Sequence, residues 1–558
     1  MSFSLSELKN DFEFNILKDD LKAGFIVGAV GFPQSMAYAL IAGVNPVYGL
    51  YTSAVAAIVS TFTDGEELLI VGPTNIMALA VASSLNFLQG NNYLQGVFLL
   101  TLLVGIIQIL LGVLKLGELV NYVSHSVIVG IMTGVAVIIT ISQLGYFLGM
   151  DVEMGSNIFM TLYEIVSELN GINYYALFTG VVTLAVLLII QNIDSRYPSY
   201  IIATGIAMLV VYLFGLEDFI LVVDDFKASA PNFVLVGFDY SLIPRLLSPA
   251  MSIALLGFIH VVSVVKDLEK KTRVPPKINR EFTGQGIVNI ASAFCRGFAV
   301  TGSFTRTSLN YEWGAKTRIS GFISGLVTVA FFVLLTPVIG YIPIPALSVI
   351  VVLVIYRITD WEEIILIFKT GRFDSLIFIV TFLTTVISTR LDYAIYFGVF
   401  LSFILVLKNS SNISYTHYDY NGEKEDTFSR QPLKQVKEND CIIINLAGTL
   451  HFNCAENLKN ELNESFREDK VFVVRMREIE DIDLTSIEEL DKFIEKVKKN
   501  GGKVILSGVS ERMYNSLKEY GIIEKLNDDN IFTGENIIFA STREAVARAE
   551  DEIENGKD

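Results

Sequence analysis

Apolar runs long enough to cross a bilayer recur along the first 410 residues and then stop. A hydrocarbon core of about 30 Å needs roughly 20 apolar residues per helix. Runs of that kind occupy 94–114, 120–148, 174–192, 199–215, 246–265, 318–342, 374–389 and 392–407. Six more, at 23–42, 47–62, 67–86, 282–297, 300–312 and 344–357, are shorter or broken by Gly, Pro and polar residues. The pattern predicts fourteen segments at about 29 residues each with their loops, so tight that some must be half-length. Beyond residue 410 the periodicity changes. VFVVRM (471–476) and KVILSGV (503–509) are β-rich, SIEELDKFIEKVKKNG between them has helical spacing, and CIIINLAGTLHF (441–452) reads as two more strands. The polar 411–440 stretch reads as a linker.

Composition sharpens this division. The chain is 52% hydrophobic and 18% charged, below the roughly 25% charge of soluble proteins. Fifty charged residues fall in the first 410 positions and fifty-one in the last 148. The expected organisation is therefore a polar N-terminal segment (1–20), a transmembrane domain (21–410), the linker (411–440) and an acidic α/β domain (441–555). A net charge of −17 argues against a nucleic-acid partner, which requires a basic surface. Cys295, Cys441 and Cys454, and His125, His260, His417 and His451, form no metal-ligand spacing, so no metal or cofactor is expected. The opening MSFSLSELKNDFEFNILKDD is polar and acidic, unlike a cleavable signal peptide, so the apolar segments themselves must direct insertion. The absence of Walker A, HExxH or a catalytic dyad in the membrane part argues against an enzyme.

Loop charge predicts the orientation, because cytoplasmic loops are rich in Lys and Arg. With the N-terminus inside, inner loops hold Lys115, Arg196, Lys316, Arg318, Arg357, Lys369 and Arg372. The loop after segment eight adds Lys266, Lys270, Lys271, Arg273, Lys277 and Arg280. Outer loops hold only Lys227, Arg245, Arg296 and Arg390. An even segment count then leaves the tail in the cytoplasm as well.

Segments three and ten are wrong for spanning helices. In EELLIVGPTNIMALAVASS (66–84) a β-branched run ends at Gly72-Pro73 and a helical pattern opens at Thr74 and Asn75, with Pro73 suited to the first helical position. In RGFAVTGSFTRTSLN (296–310) an apolar Phe298-Ala299-Val300 precedes Thr301-Gly302-Ser303 and a polar helix start that includes Phe304 and Thr305. Each reads as a strand turning into a half-helix at membrane depth, which is tolerated only when buried in protein or lining a cavity. They hold the same place in each group of seven segments, and seven is odd, so the repeat is inverted. Such pairs point to a transporter's central site, with two facing helix N-termini that favour an anion.

Arg306 lies on the first turn of the second half-helix in a stretch nearly free of charge. A central Arg is costly in a bilayer, so it should face protein or water, where an anion would compensate it; the alternative is a structural Arg bonded to carbonyls or snorkelling to a loop. Gln34 and Tyr38 share a helical face in segment one beside Pro33 and supply N–H and O–H donors; helix–helix hydrogen bonding explains them as well. In segment eight His260 and Ser263 lie at i, i+3 in apolar surroundings and are candidates for proton coupling. A packing role fits His260 nearly as well, and His125 is read as structural.

These stretches, PQSMAYALIAGVNPVYGLYTS (33–53), IVGPTN (70–75), EFTGQGIVNIASAF (281–294) and AVTGSFTRTSLN (299–310), resemble the sulfate permease (SulP) family of anion transporters from about residue 15 to 550. The resemblance implies a polytopic α-helical membrane protein of fourteen segments, built as 7+7 inverted repeats (about 21–215 and 246–410). A core domain moves against a gate domain, as in uracil-permease-like folds, and a cytoplasmic α/β STAS domain and a homodimer accompany them. It also implies an anion site of Gln34 and Tyr38, Pro73, Thr74 and Asn75, and Ser303, Phe304, Thr305 and Arg306. His260 stands where many relatives have a Glu implicated in cation coupling, and Thr74-Asn75 replaces an apolar pair. In the tail, Asp483 and Thr485 match a loop that binds nucleotide or a regulatory protein, or is phosphorylated, in STAS domains; an N-cap from Thr485 or Ser486 explains the same residues.

The sequence thus predicts a multi-pass transporter in the cell membrane that moves small inorganic anions by alternating access, with an H⁺ or Na⁺ coupling ion left open. Sulfate leads by family name only; bicarbonate, chloride, nitrate and dicarboxylates suit similar sites. An anion channel of the same fold, a neutral-solute carrier, and a membrane sensor signalling through its tail are the rivals.

Overall fold

The computed structural model describes residues 14–63, 65–88, 90–116, 124–150, 158–193, 198–223, 240–388, 391–410, 414–420, 428–431, 441–533 and 540–555. The chain divides into two compact units, 1–402 and 403–558. In the first, α1 (Phe14–Ile41), α2 (Pro46–Ser60), β1 (Val71–Gly72), α3 (Asn75–Leu85), α4 (Asn91–Val113), α5 (His125–Leu148), α6 (Ile158–Ser167), α7 (Tyr174–Ile193) and α8 (Ser199–Phe214) make one half. The other half runs α9 (Ile243–Thr272), α10 (Ile278–Phe294), β2 (Thr301–Gly302), α11 (Phe304–Glu312), α12 (Ile319–Ile339), α13 (Ile344–Ile358), α14 (Trp361–Thr370), α15 (Arg372–Ile387) and α16 (Leu391–Ser410), which begins in this unit and runs on past its end at 402. The fourteen expected segments occur in order. Seven helices among the described residues are long and apolar enough to cross a membrane unaided.

Each half carries one helix that the apolar runs did not single out. These are α6, before its sixth segment, and α14, before the corresponding thirteenth. Ten residues rise only about 15 Å, too short to span, so hydropathy over a bilayer-length window passes them by. Their recurrence at matching places reinforces the repeat.

Strands β1 and β2 pair antiparallel, Val71 opposite Gly302 and Gly72 opposite Thr301. Two strands meeting this way send α3 and α11 off in opposite directions, so their N-termini converge. Backbone at membrane depth must find partners in protein, and it does. Ser303 N donates to Ile70 O at 2.8 Å, and Ile70 N donates to Thr307 Oγ1 at 3.1 Å. The Asn289 side chain accepts from Val300 N at 2.8 Å and donates to Val300 O at 3.1 Å; Thr301 Oγ1 donates to Gly257 O at 2.9 Å.

Helices α1–α4 pack with α9–α12, and α5–α8 with α13–α16. In the first group the halves join by direct backbone approach. A Cβ added at Gly105 of α4 would lie 2.7 Å from Gly286 O, and one at Gly286 of α10 would lie 2.6 Å from Gly105 O. Small residues permit such close contact where bilayer lipid supplies no hydrophobic drive.

In the second unit a six-stranded sheet has the order β4-β3-β5-β6-β7-β8. Its strands are β3 (Ser414–Tyr420), β4 (Phe428–Gln431), β5 (Cys441–Leu450), β6 (Val471–Ile482), β7 (Lys503–Val509) and β8 (Ile531–Thr533), with β5 to β8 parallel. Ile442, Ile444, Phe472 and Val474 face α17 (Ala455–Ser465) and α18 (Leu484–Lys499); Ile443, Val473 and Ile505 face α21 (Ala540–Asn555). Helices α19 (Glu511–Glu519) and α20 (Ile522–Leu526) complete the larger face. Two expectations change here. The 411–440 stretch is not only a linker, since it contributes β3 and β4, added antiparallel at the sheet's edge, where two apolar faces are not required. The 441–452 run forms one strand, because Gly448, which reads as a turn, is absorbed as an irregularity in the β5–β6 pairing.

Candidate functional site

Between the two helix groups of the membrane unit lies a cavity of about 1070 Å³. Gln34 of α1, Asn75 at the start of α3, and Phe304 and Thr305 at the start of α11 line it, together with His260 and Ser263 of α9. The opposite wall comes from Ile128, Met132 and Thr133 of α5 and Tyr200 of α8. Lys266, Lys270, Arg357, Glu312 and Glu363 also line it, on the side of the Lys- and Arg-rich loops. One cavity thus brings together six of the residues chosen from sequence.

The helix starts at its wall differ in how they are capped. Thr74, not Pro73, bounds α3: it has extended backbone, and its Oγ1 accepts from Met77 N at 3.5 Å. Pro73 therefore stands one position before the cap rather than at the first helical position. Asn75 Oδ1 accepts from Ile76 N at 2.9 Å, which leaves its amide N–H₂ as a donor. At α11 the N-cap Ser303 makes no side-chain capping bond, so first-turn N–H groups there are open to a ligand. Both helix starts carry partial positive charge.

Arg306 is placed differently from the expectation of direct contact. It is 2% exposed and does not line the cavity. Its Nη1 donates to Ser53 Oγ at 2.8 Å; its Nη2 donates to Ser35 Oγ at 2.8 Å and to Gly31 O at 3.3 Å. On an α-helix, Thr305 and Arg306 point about 100° apart, so Thr305 faces the cavity while Arg306 enters the packing against α1 and α2. Tyr38, Thr74 and Ser303 are likewise buried behind the wall.

Gln34 is 1% exposed and His260 7% exposed; the buried Gln34 Oε1 and His260 Nδ1 have no partner among the described residues. Ser263 Oγ donates to Ile259 O at 3.1 Å, an ordinary helix back-bond. His125, read as structural, stands at the cavity mouth and pairs with Glu363. Sequence reasoning missed Ser35, Ser53 and Tyr200. Ser35 adjoins Gln34, but no spacing rule tells which small hydroxyls reach an arginine 271 residues away.

In the second unit Asp483, not Thr485 or Ser486, caps α18, its carboxylate accepting from Ser486 N at 2.9 Å. Thr485 is exposed in the first turn, and the Ser486 Oγ is buried without a partner among the described residues.

A model of the sulfate permease family matches residues 17–381, and a STAS domain model matches 432–545. Sulfate transporter 4.1, chloroplastic, of Arabidopsis thaliana is 26% identical over 92% of this chain and 78% of its own. High affinity sulfate transporter 2 of Stylosanthes hamata is 23% identical over 98% of this chain and 86% of its own. The fold is similar to that of SLC26A9, with a TM-score of 0.88 at 20% identity over 99% of this chain and 93% of that one. It is also similar to the transmembrane domain of the cyanobacterial bicarbonate transporter BicA, with a TM-score of 0.60 at 24% identity over 70% of this chain and 98% of that one. With the crossing at β1 and β2, the cavity beside it and a family model spanning most of the membrane unit, the chain belongs to the sulfate permease family and carries a STAS domain after its membrane-spanning part.

Proposed function

We propose that this protein moves small inorganic anions, sulfate first among them, through the cell membrane by alternating access. The anion sits against the starts of α3 and α11, held by Gln34, Asn75, Thr305 and first-turn N–H groups, with Pro73, Thr74, Ser303 and Phe304 shaping the wall. Arg306 attracts it from behind that wall and Tyr38 packs beside it. The observation that carries this reading is the β1–β2 pairing, which aims two positive helix ends at one cavity. The group α1–α4 with α9–α12 moves as the core against the gate of α5–α8 with α13–α16.

Loop charge supports cytoplasmic termini, so the cavity opens inward on the side of Lys266 and Lys270. His260 and Ser263 are the candidates for coupling transport to H⁺ or Na⁺. The working unit is a homodimer, and Asp483 and Thr485 mark a regulatory surface where a protein or nucleotide binds. Uptake of labelled sulfate, bicarbonate, chloride, nitrate and a dicarboxylate into proteoliposomes, with and without imposed H⁺ or Na⁺ gradients, tests the proposal. Saturable sulfate uptake supports it, whereas an intact protein that moves none of the panel overturns it. Conductance without saturation would make the protein a channel instead.

A further inference from the structure

The Arg306 guanidinium has three neutral hydrogen-bond acceptors and, among the described residues, no carboxylate within ion-pair distance. The two buried acids of the core are engaged elsewhere. Asp20 accepts from Lys316 N at 2.7 Å and from Thr317 Oγ1, and Glu281 accepts from Glu66 N at 2.9 Å. The charge is therefore stored rather than cancelled. What fixes its position is a cradle from two other helices. Ser53 of α2 takes one terminal nitrogen. Ser35 of α1 takes the other while donating to Gly31 O at 2.5 Å, which turns its lone pairs toward the guanidinium. Two glycines leave room for the group. A Cβ at Gly72 would lie 2.7 Å from Nη1, and one at Gly31 would lie 3.3 Å from the guanidinium carbon.

We propose that Ser35 and Ser53 are positioning residues that hold the Arg306 charge at a fixed place behind the cavity wall, and so set how strongly the site prefers a dianion over a monoanion. The inference rests on the anion-transport reading. A cation that does not touch the ligand acts on it through its net charge, not its shape, so its pull grows with anion valence. All the members of the cradle lie on α1, α2, β1 and α11, within one helix group. Loosening it therefore changes binding rather than the motion of that group against the other.

The test compares purified full-length wild type, Ser35→Ala, Ser53→Ala, the double variant and Gly72→Ala in proteoliposomes, with labelled sulfate and labelled nitrate as the probes. Each serine variant should raise KM for sulfate about fivefold, the value of one modest hydrogen bond, with a smaller rise for nitrate and kcat nearly unchanged. Gly72→Ala, which would crowd Nη1 at 2.7 Å, should lower the sulfate preference in the same direction. Equal KM rises for both anions, or a fall in kcat alone, would make the serines packing residues and overturn the proposal, as would unchanged kinetics in folded variants. A wild type that transports neither anion overturns the functional reading as a whole. If one serine variant fails to fold, the other and Gly72→Ala read the same ratio.

Discussion

Replacing Arg306 by Met removes the stored charge while keeping a long, flexible side chain in its place. Stability should change little. The loss is three bonds to neutral acceptors, and two of these acceptors already satisfy each other, since Ser35 Oγ donates to Gly31 O. Ser53 is free to bond to the carbonyl one turn back on α2, as buried helical serines do. Against that loss, a charge that is 2% exposed and has no ionic partner among the described residues carries a desolvation penalty of several kcal/mol, which the substitution relieves. Affinity should suffer instead. Because Thr305 and not Arg306 lines the cavity, the charge stands farther from the anion than the roughly 4 Å of a contact pair. Two unit charges about 8 Å apart at an effective dielectric near 20 attract by about 2 kcal/mol. That is about 30-fold in affinity for a monoanion and, doubled, about 1,000-fold for a dianion. Proteoliposome uptake of sulfate and nitrate over a wide concentration range measures both, and a thermal melt in detergent measures stability. Equal losses for the two anions, or a collapse of the melting temperature with affinity unchanged, would refute the through-space account.

Gly286→Ala places a methyl 2.6 Å from Gly105 O, so α4 and α10 must part; a destabilisation of about 1–3 kcal/mol should appear as a lower melting temperature. Asp483→Ala removes the bond to Ser486 N and should cost about 1 kcal/mol, seen as faster hydrogen exchange in the first turn of α18, with Thr485→Ala as the silent control. Lys503 holds the Glu552 carboxyl below its ordinary range, so their pairing stabilises α21 above the usual Glu pKa of about 4.5 and is lost as pH falls through the lowered value. Hydrogen exchange of α21 between pH 3 and pH 6, about the range in which Glu titrates, should show that loss in wild type and a smaller one in Lys503→Ala, where Arg548 still pairs with Glu552 at 2.9 Å. His260→Ala should abolish any dependence of uptake on an imposed pH gradient; identical gradient responses in variant and wild type would remove His260 from coupling.

Linear pattern carries far in a membrane chain because the bilayer reads sequence locally. Every spanning segment must be apolar over a set length, so the fourteen segments, the odd repeat and the two interrupted members are legible in the sequence. So is the transition to an α/β unit, from the switch in periodicity beyond residue 410. The short helices α6 and α14 escaped because they do not span, and the β3 and β4 strands escaped because an antiparallel pair added at one side of a sheet can keep a polar sequence.

The site divides along the same line. Sequence alone identified a lone arginine beside a broken helix and the polar residues Gln34, Asn75, Thr305 and His260 that line one cavity. Only the tertiary structure decided that Arg306 turns away from that cavity into a cradle made by Ser35 and Ser53, and that His125 stands at its mouth. The cause is physical: one residue of helix rotates a side chain by about 100°, and which neighbour then meets it depends on helices hundreds of residues distant, whose approach is governed by packing at glycines such as Gly31 and Gly72 rather than by any local preference.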